Sequence, residues 1–218
     1  GFTHPDLAPL AIIFDPDLAA HTPAALWFSA AVRTIDHGAE GYLSPDGYPI
    51  LQQQFLSALR LMSQGLRDGF SAQTDVEKRA AFMLSFQGVW SVAPALGRVR
   101  MGASHGLGYI LGGMFGVAHG ETSCVLLPAV LQWNAQKHPD AQLAISQALG
   151  DAQQPAHVLI RQLIKSLGLP ICLAEVGIGA DKFQAIAEAG EHHGVVTANS
   201  RAITSQSDVL EILQLAQN

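Results

Sequence analysis

The chain has 218 residues, 49% of them hydrophobic, so it is long enough to bury a continuous core without disulfide bonds. Its formal charge of -6, with 12 basic and 18 acidic residues and no Lys/Arg run, excludes the basic surface that binding to nucleic acid or an anionic membrane requires. No apolar run approaches the roughly 20 residues of a bilayer span, and the N-terminus lacks a signal-peptide pattern, so we expect a cytoplasmic protein.

The first third of the chain predicts a short extended segment followed by two helices. Leu10 to Asp15 (LAIIFD) form a short apolar run that ends at turn residues, which is typical of extended chain. Thr22 and Pro23 supply an N-cap and a first-turn proline, so they predict a helix that runs to about Leu43. The spacing of apolar residues predicts a second helix from about Pro49 to Phe70.

The helical pattern continues through the rest of the chain. Asp75 is predicted to be the N-cap of a third helix. Pro94 is expected to end or kink that helix. Two further helices are predicted over about Ser104 to Phe115 and Glu121 to Asn134, and four amphipathic stretches follow, PDAQLAISQALG, PAHVLIRQLIKSLG, DKFQAIAEAGEHHG and SQSDVLEILQLAQ. We therefore predict an all-α fold: a single helical bundle domain over residues 1–218, with core helices at about 22–134 and satellite helices at about 139–217.

One face of the first long helix carries candidate site residues. Arg33 and His37 are four residues apart and share a helix face, which Glu40 extends by a further three residues. Asp36 lies about 100° around the helix, so the spacing does not place it with the others. An arginine beside a histidine on one face is a pattern that suits binding of an anionic small molecule with proton transfer.

The glycine-rich segment between residues 101 and 134 carries the other candidates. His105 and Tyr109 share a helix face, and His119 lies at a predicted helix entrance, where exposed N–H groups favour anions. Four glycines in the helix of His105 cost about 3 to 4 kcal/mol relative to alanine, which indicates close approach of a helix or ligand. They are Gly106, Gly108, Gly112 and Gly113.

The three histidines and the arginine come from separate segments, with Arg33 and His37 on one helix, and are expected to meet in one cleft, because burying several titratable groups without use is costly. The remaining histidines show surface signals. His192 and His193 lie at the polar end of an amphipathic helix and are interpreted as a solvated turn; the others flank loop or cap signals, namely His4, His21, His138 and His157.

The segments together resemble the C-terminal helical half of the iron-containing alcohol dehydrogenase superfamily, whose fold is dehydroquinate synthase-like, and in particular the maleylacetate reductases. SHGLGYILGGMFGVAHGETSCVLLPAV resembles the family signature, Ser29 to Tyr42 resembles its first metal-site helix, and Pro9 to Leu18 resembles the segment that joins its two domains. LGLPICLAEVGI and ANSRAITSQSDVLEILQLA resemble its C-terminal region. The resemblance covers nearly the whole chain.

The resemblance also implies a site without a metal. His37, His105 and His119 fall on the three histidine positions of the family's metal site, but Arg33 takes the position of the aspartate that completes it. A guanidinium repels a divalent cation, and maleylacetate reductases are similar in lacking that aspartate and working without a bound metal. We expect neither iron nor zinc, with the three histidines as the candidate ligands if the site is metallated. Tyr109 stands where many relatives have a further histidine.

The family's N-terminal nucleotide-binding domain, with its glycine-rich phosphate loop, has no counterpart in this sequence. We therefore expect no cofactor in this chain and NAD(P) only with a separate N-terminal half. The expected partners are a small carbonyl or carboxylate substrate and either a second copy of the chain, as a homodimer, or that separate nucleotide-binding half.

Three hypotheses follow for the function. The first is the catalytic domain of an NAD(P)-dependent oxidoreductase that acts on a small carbonyl or unsaturated acid. The second is a stand-alone isomerase, dehydratase or cyclase that uses the Arg/His/Tyr cleft for acid–base chemistry, and the third is a non-catalytic interaction domain. In both enzymes Arg33 would bind a carboxylate or enolate oxygen, His37 or His105 would exchange a proton, and His119 and Tyr109 would orient the substrate.

Overall fold

The protein was analysed as a computed structural model, which describes His4 and residues 9–218; residues 1–3 and 5–8, at the start of the predicted domain, lie outside the described residues. The described chain is helical and contains no β-strand, which confirms the predicted all-α class. Its helices are α1 (Pro16–Ala19), α2 (Ala24–Leu43), α3 (Pro49–Ser71), α4 (Asp75–Leu96), α5 (Ala103–Phe115), α6 (His119–Asn134), α7 (Pro139–Leu149), α8 (Ala156–Ser166), α9 (Phe183–Glu191), α10 (Gly194–Thr197) and α11 (Gln206–Leu215).

Helix starts differ from the sequence prediction by one or two residues. The N-cap of α2 is Pro23 rather than Thr22, and it makes no side-chain cap hydrogen bond. The N-cap of α4 is Thr74 rather than Asp75, because Thr74 and Glu77 form a reciprocal capping box. Pro94 does not end α4, which continues to Leu96.

The segment predicted as extended, Leu10 to Asp15, is non-helical and forms no strand within the described chain. The side chains of Leu10, Ile12 and Ile13 are largely exposed. Asp15 ends the segment by accepting hydrogen bonds from the backbone N–H groups of Asp17 and Leu18, which starts the short helix α1.

Two hydrophobic cores lie on either side of α6. The first is formed by α2, α3, α6, α7 and α8, and includes Val32, Leu59, Leu127 and Ile160. The second joins α5 and α6 to α9, α10 and α11 through residues such as Leu107 and Ile212. The four helices predicted as satellites are therefore divided between two cores instead of forming a bundle of their own, because the buried side chains of α6 face both cores.

Close helix contacts explain some of the glycines of α5 and α6. A Cβ at Gly106 would lie 2.6 Å from the backbone nitrogen of Val196, and a Cβ at Gly120 would lie 2.6 Å from the carbonyl carbon of Ser29. These glycines let α5 pack on α10 and α6 pack on α2. Gly113 has open space instead, so close packing does not account for every glycine of the segment.

No helix of the described chain combines the length and the apolar character that crossing a bilayer would need.

Candidate active site

Helix α2 places three charged side chains in the interior. Arg33 is 5% exposed, Asp36 is fully buried and Glu40 is 4% exposed, while His37 is half-buried. Asp36 lies with Arg33, because residues three apart in a helix are neighbours on its surface. Buried charges require partners, and the N-terminal turns of α5 and α6 supply them.

Arg33 and Asp36 are linked through Ser123 of α6. Nη1 of Arg33 donates to Oγ of Ser123 at 3.0 Å and lies 3.8 Å from Oδ2 of Asp36. The hydroxyls of Ser123 and Ser104 donate to Oδ2 of Asp36 at 2.6 and 2.8 Å. Burial would raise the pKa of Asp36, but His105 and Arg33 outweigh burial and hold that pKa well below its usual range. Asp36 is therefore an anion that fixes the arginine.

The guanidinium of Arg33 is only partly satisfied. Its Nε is buried and has no hydrogen-bond partner among the described residues. The absence of a side chain at Gly108 leaves room for Thr122 and for the guanidinium of Arg33. A Cβ there would lie 2.9 Å from Oγ1 of Thr122 and 3.4 Å from Nη1 of Arg33. A buried cationic N–H without an acceptor is costly, and an anionic ligand would satisfy it.

Glu40 caps the N-terminus of α5 from the neighbouring helix. It accepts from the backbone N–H groups of Gly102 at 2.8 Å, Ser104 at 2.7 Å and His105 at 3.3 Å. Gly102, the N-cap residue, has no side chain to do this. A carboxylate at a helix N-terminus is stabilised by the free N–H groups and by the helix dipole, so Glu40 joins α2 to α5 at the site.

His105 is held between two carboxylates. Its Nδ1 lies 2.7 Å from Oε2 of Glu40 and 3.4 Å from Oδ1 of Asp36. Burial would lower the pKa of His105, but Asp36 and Glu40 more than offset it and raise this pKa to about 9. The ring is therefore an imidazolium at neutral pH, and its Nε2 is buried without a hydrogen-bond partner among the described residues. We call Arg33, Asp36, Glu40 and His105 the base of the site.

His37 lies directly beside this cation. The ring centres of His37 and His105 are 4.5 Å apart. Burial, together with the charge of His105, lowers the pKa of His37 to about 3. Two neighbouring histidines therefore have opposite protonation at neutral pH, His105 charged and His37 neutral, which is the arrangement of an acid beside a base.

Three aromatic rings lie at the outer end of the site, and we call Tyr109, His119 and His193 the rim. Tyr109 is 46% exposed, and its ring centre lies 5.6 Å from Cζ of Arg33. The rings of His119 and His193 are centred 6.3 and 6.2 Å from that of Tyr109. Partial burial and the charges of Arg33 and His105 lower the pKa of His119, so its ring is also neutral at neutral pH.

The predicted residues form a single connected cluster, with Arg33 and His119 next to Tyr109 and with His37 next to His105. Their catalytic roles stay predictions. The sequence reasoning missed Ser104, Ser123 and His193, and it set Asp36 aside. The i to i+3 spacing of Arg33 and Asp36 was a usable signal, whereas no local pattern marks His193 or the serines.

The group formed by Asp36, Glu40 and Nδ1 of His105 does not fit a divalent metal. In the part of the chain that the structure describes, Asp36, Glu40 and His105 form the one group of such side chains with ligand atoms within 4.8 Å of one another. The Nδ1 of His105 in that group carries a proton toward Glu40, so it has no free electron pair for a metal. The guanidinium of Arg33 lies 3.8 Å from the Asp36 carboxylate and would repel a dication there.

Comparison with known proteins places this geometry in a family. Residues 28–217 match the model of the Fe-containing alcohol dehydrogenase family, C-terminal part. A dehydrogenase of Gibberella moniliformis is 31% identical to the chain over 94% of the chain and 54% of its own length. Maleylacetate reductase 1 of Rhodococcus opacus is 31% identical over 78% of the chain and 46% of its own length. The chain thus spans about half the length of the curated relatives it matches.

Solved structures agree with these relatives. A putative alcohol dehydrogenase from Ralstonia eutropha superposes with a TM-score of 0.87 and 28% identity, covering 98% of this chain and 59% of the other. The maleylacetate reductase from a Rhizobium strain superposes with a TM-score of 0.84 and 26% identity, covering 99% of this chain and 59% of the other.

Proposed function

The chain belongs to the iron-containing alcohol dehydrogenase family, and from that premise we propose that it is the catalytic helical domain of a nicotinamide-dependent reductase of small carbonyl or unsaturated acids. Its relatives include proteins named maleylacetate reductase, over about half of their length. In this proposal NADH or NADPH supplies hydride and is held by residues outside this sequence, which has no glycine-rich phosphate loop.

The observation that carries the proposal is the buried and incompletely bonded guanidinium of Arg33. Asp36 and Ser123 hold it in place, and its Nε still lacks an acceptor among the described residues. A substrate carboxylate or enolate oxygen would accept from that N–H group. Because the site is largely shielded from water, the attraction between guanidinium and anion is stronger than it would be at the surface.

His105 is suited to proton donation in the same step. Its Nδ1 proton is held by Glu40, so the Nε2 proton is the one free to be donated to a substrate oxygen or carbon as negative charge develops. After donation the ring is neutral, and the two carboxylates favour its return to the charged form. His37 stays neutral beside it and does not compete with His105 as a proton donor.

Arg33 and His105 also replace the role that a metal plays as an electrophile. Both are cations fixed by buried carboxylates, so they stabilise an oxyanion without reorganising when it forms. We therefore include in the proposal that the reaction needs no divalent metal.

The test is the reduction of maleylacetate by the natural protein at its full length. The reaction is monitored by the loss of absorbance of the reduced nicotinamide. Replacing Arg33→Met is expected to lower kcat/KM about 100-fold or more, because it removes a donor to the developing anion. Arg33→Lys should recover part of the activity, since it restores charge but not the planar fork. Arg98→Met is the matched control, because Arg98 is exposed and outside the site.

Equal activity of Arg33→Met and the parent would contradict the proposal. Conversion of the acid with no nicotinamide present would favour the alternative, a non-redox isomerase, dehydratase or cyclase. The opposite protonation of His105 and His37 is the observation that supports this alternative, because acid–base chemistry needs no cofactor.

A further inference from the structure

His193 occupies a place that its sequence context does not suggest. The adjacent His192 is solvated as expected, with 85% of its side chain exposed. His193 is half-buried instead, and its ring centre lies 6.2 Å from that of Tyr109 at an interplanar angle of 45°. Two consecutive histidines therefore differ in environment, and only His193 belongs to the rim of the site.

The packing of α10 on α5 sets the position of His193. Gly106 has no side chain, and a Cβ there would lie 2.6 Å from both the backbone nitrogen and Cγ2 of Val196. Val196 is fully buried in the second core. The short helix that follows His193 is thus pressed against the turn of α5 that carries His105, one turn before Tyr109. Its distance from the site is fixed by backbone contact.

A backbone hydrogen bond orients the ring of His193. The N–H group of Val195 donates to Nδ1 of His193 at 3.3 Å, as expected for the N-cap of α10. Because Nδ1 accepts this hydrogen bond, the N–H group of the ring lies at Nε2. His193 therefore presents an N–H donor at Nε2.

We infer that His193 is a specificity residue of the proposed reductase site, and that its Nε2–H group binds a second carboxylate of the substrate. This inference rests on the proposed function, for the case in which Arg33 binds a carboxylate and not an enolate oxygen. The ring of Tyr109 is near both donors, with its centre 5.6 Å from Cζ of Arg33 and 6.2 Å from the centre of the His193 ring. A short carbon chain lying along Tyr109 would place an anionic group at each of them.

The experiment compares two probes that differ in one carboxylate. Maleate has two and isocrotonate, the cis monocarboxylate of the same chain length, has one, and their binding is measured by calorimetry with the natural full-length protein. His193→Leu should weaken maleate binding about tenfold, as loss of a hydrogen bond to a charged group does, and leave isocrotonate binding unchanged. His193→Gln should restore most of the maleate affinity, because its amide N–H approximates the position of Nε2.

His192→Leu is the matched control and should change neither affinity, since His192 is solvated. In the reductase assay, His193→Leu should raise KM for a dicarboxylic substrate with little change in kcat, because binding to a remote carboxylate is equal in ground and transition states.

If His193→Leu lowered the affinity for both probes equally, or for neither, the role of His193 would be overturned while the proposed function stayed intact. Arg33→Met should instead lower the affinity for both probes, and an unchanged affinity in that variant would contradict the proposed function. A parent protein that binds neither acid would contradict both proposals.

Discussion

The base and the rim of the site differ in how firmly their side chains are held. Every charged group of the base is buried and bonded to a neighbouring helix, so Glu40, Asp36 and His105 are fixed before any ligand arrives. Tyr109 and His119 of the rim are exposed and held mainly by ring contacts. The base therefore determines the charge and orientation of the reacting groups, whereas Tyr109 and His119 of the rim are free to adapt to a substrate.

The largest effect on stability is expected at the base. Glu40→Ala removes the acceptor of the N–H groups of Gly102 and Ser104 and leaves His105 without its nearest carboxylate. Removing one partner of a buried charged pair lowers the free energy of unfolding by about 3 to 5 kcal/mol. Urea denaturation measures this loss of stability.

Glu188→Gln serves as the control for that experiment, because Glu188 is exposed and accepts a hydrogen bond from Gln184 one turn away on the same helix. If Glu40→Ala were no less stable than this control, the base would not be the rigid part of the site.

A second prediction compares two glycines of α5. Gly106→Ala should destabilise the fold by about 1 to 3 kcal/mol, because its Cβ would overlap the backbone of Val196 and force α10 away. Gly113→Ala should stabilise by up to about 1 kcal/mol, since that position is helical and open. Thermal unfolding of both variants measures the two changes in stability. Equal changes would contradict the close packing of α5 on α10 that sets the position of His193.

A third prediction concerns pH. The folded pKa of His105 is raised to about 9 from 6.5, so its contribution to stability is complete below pH 6.5 and is lost as pH rises toward 9. The folded pKa of His37 is lowered from 6.5 to about 3, so its contribution is present above pH 6.5 and is lost as pH falls toward 3. Stability should therefore be highest near pH 6.5.

Denaturation across this pH range tests the two histidines separately. His105→Gln should remove the alkaline loss of stability and keep the acidic one, whereas His37→Gln should do the reverse. If stability were still lost at alkaline pH in the His105→Gln variant, another titrating group would be responsible for that loss.

The smallest effect on stability is expected at the rim. His119→Ala should change the unfolding free energy by no more than about 0.5 kcal/mol, as is usual for an exposed side chain, while lowering reductase activity. The same denaturation and activity assays apply. A large loss of stability would mean that the rim is as firmly packed as the base.

The sequence predicted the helices more completely than the site. Apolar spacing placed α3 within one residue of its observed ends, and the shared face of Arg33 and His37 was predicted from a four-residue interval. The N-cap of α4 was misplaced by one residue because Thr74 and Asp75 are both suitable caps, and that of α2 because the helix starts after Pro23 without a side-chain cap. Local patterns are sufficient for such features, since hydrogen bonding within a helix is local.

Contacts between distant segments account for what was missed. Glu40 caps α5 across more than sixty residues of sequence, and Ser123 bonds to Asp36 across 87. Neither pairing leaves a periodic signal along the chain. His193 was interpreted as solvated because its polar neighbours dominate its context, and only the packing of Val196 on Gly106 brings it to Tyr109.

We propose that two fixed cations, Arg33 and His105, act where a metal would act in a metal-dependent member of the family. The most direct measurement is reductase activity of the full-length protein before and after exhaustive chelation, together with elemental analysis of the purified protein. We expect no stoichiometric iron or zinc and an unchanged rate after chelation. Stoichiometric metal whose removal abolishes activity, and whose return restores it, would contradict this role of Arg33 and His105.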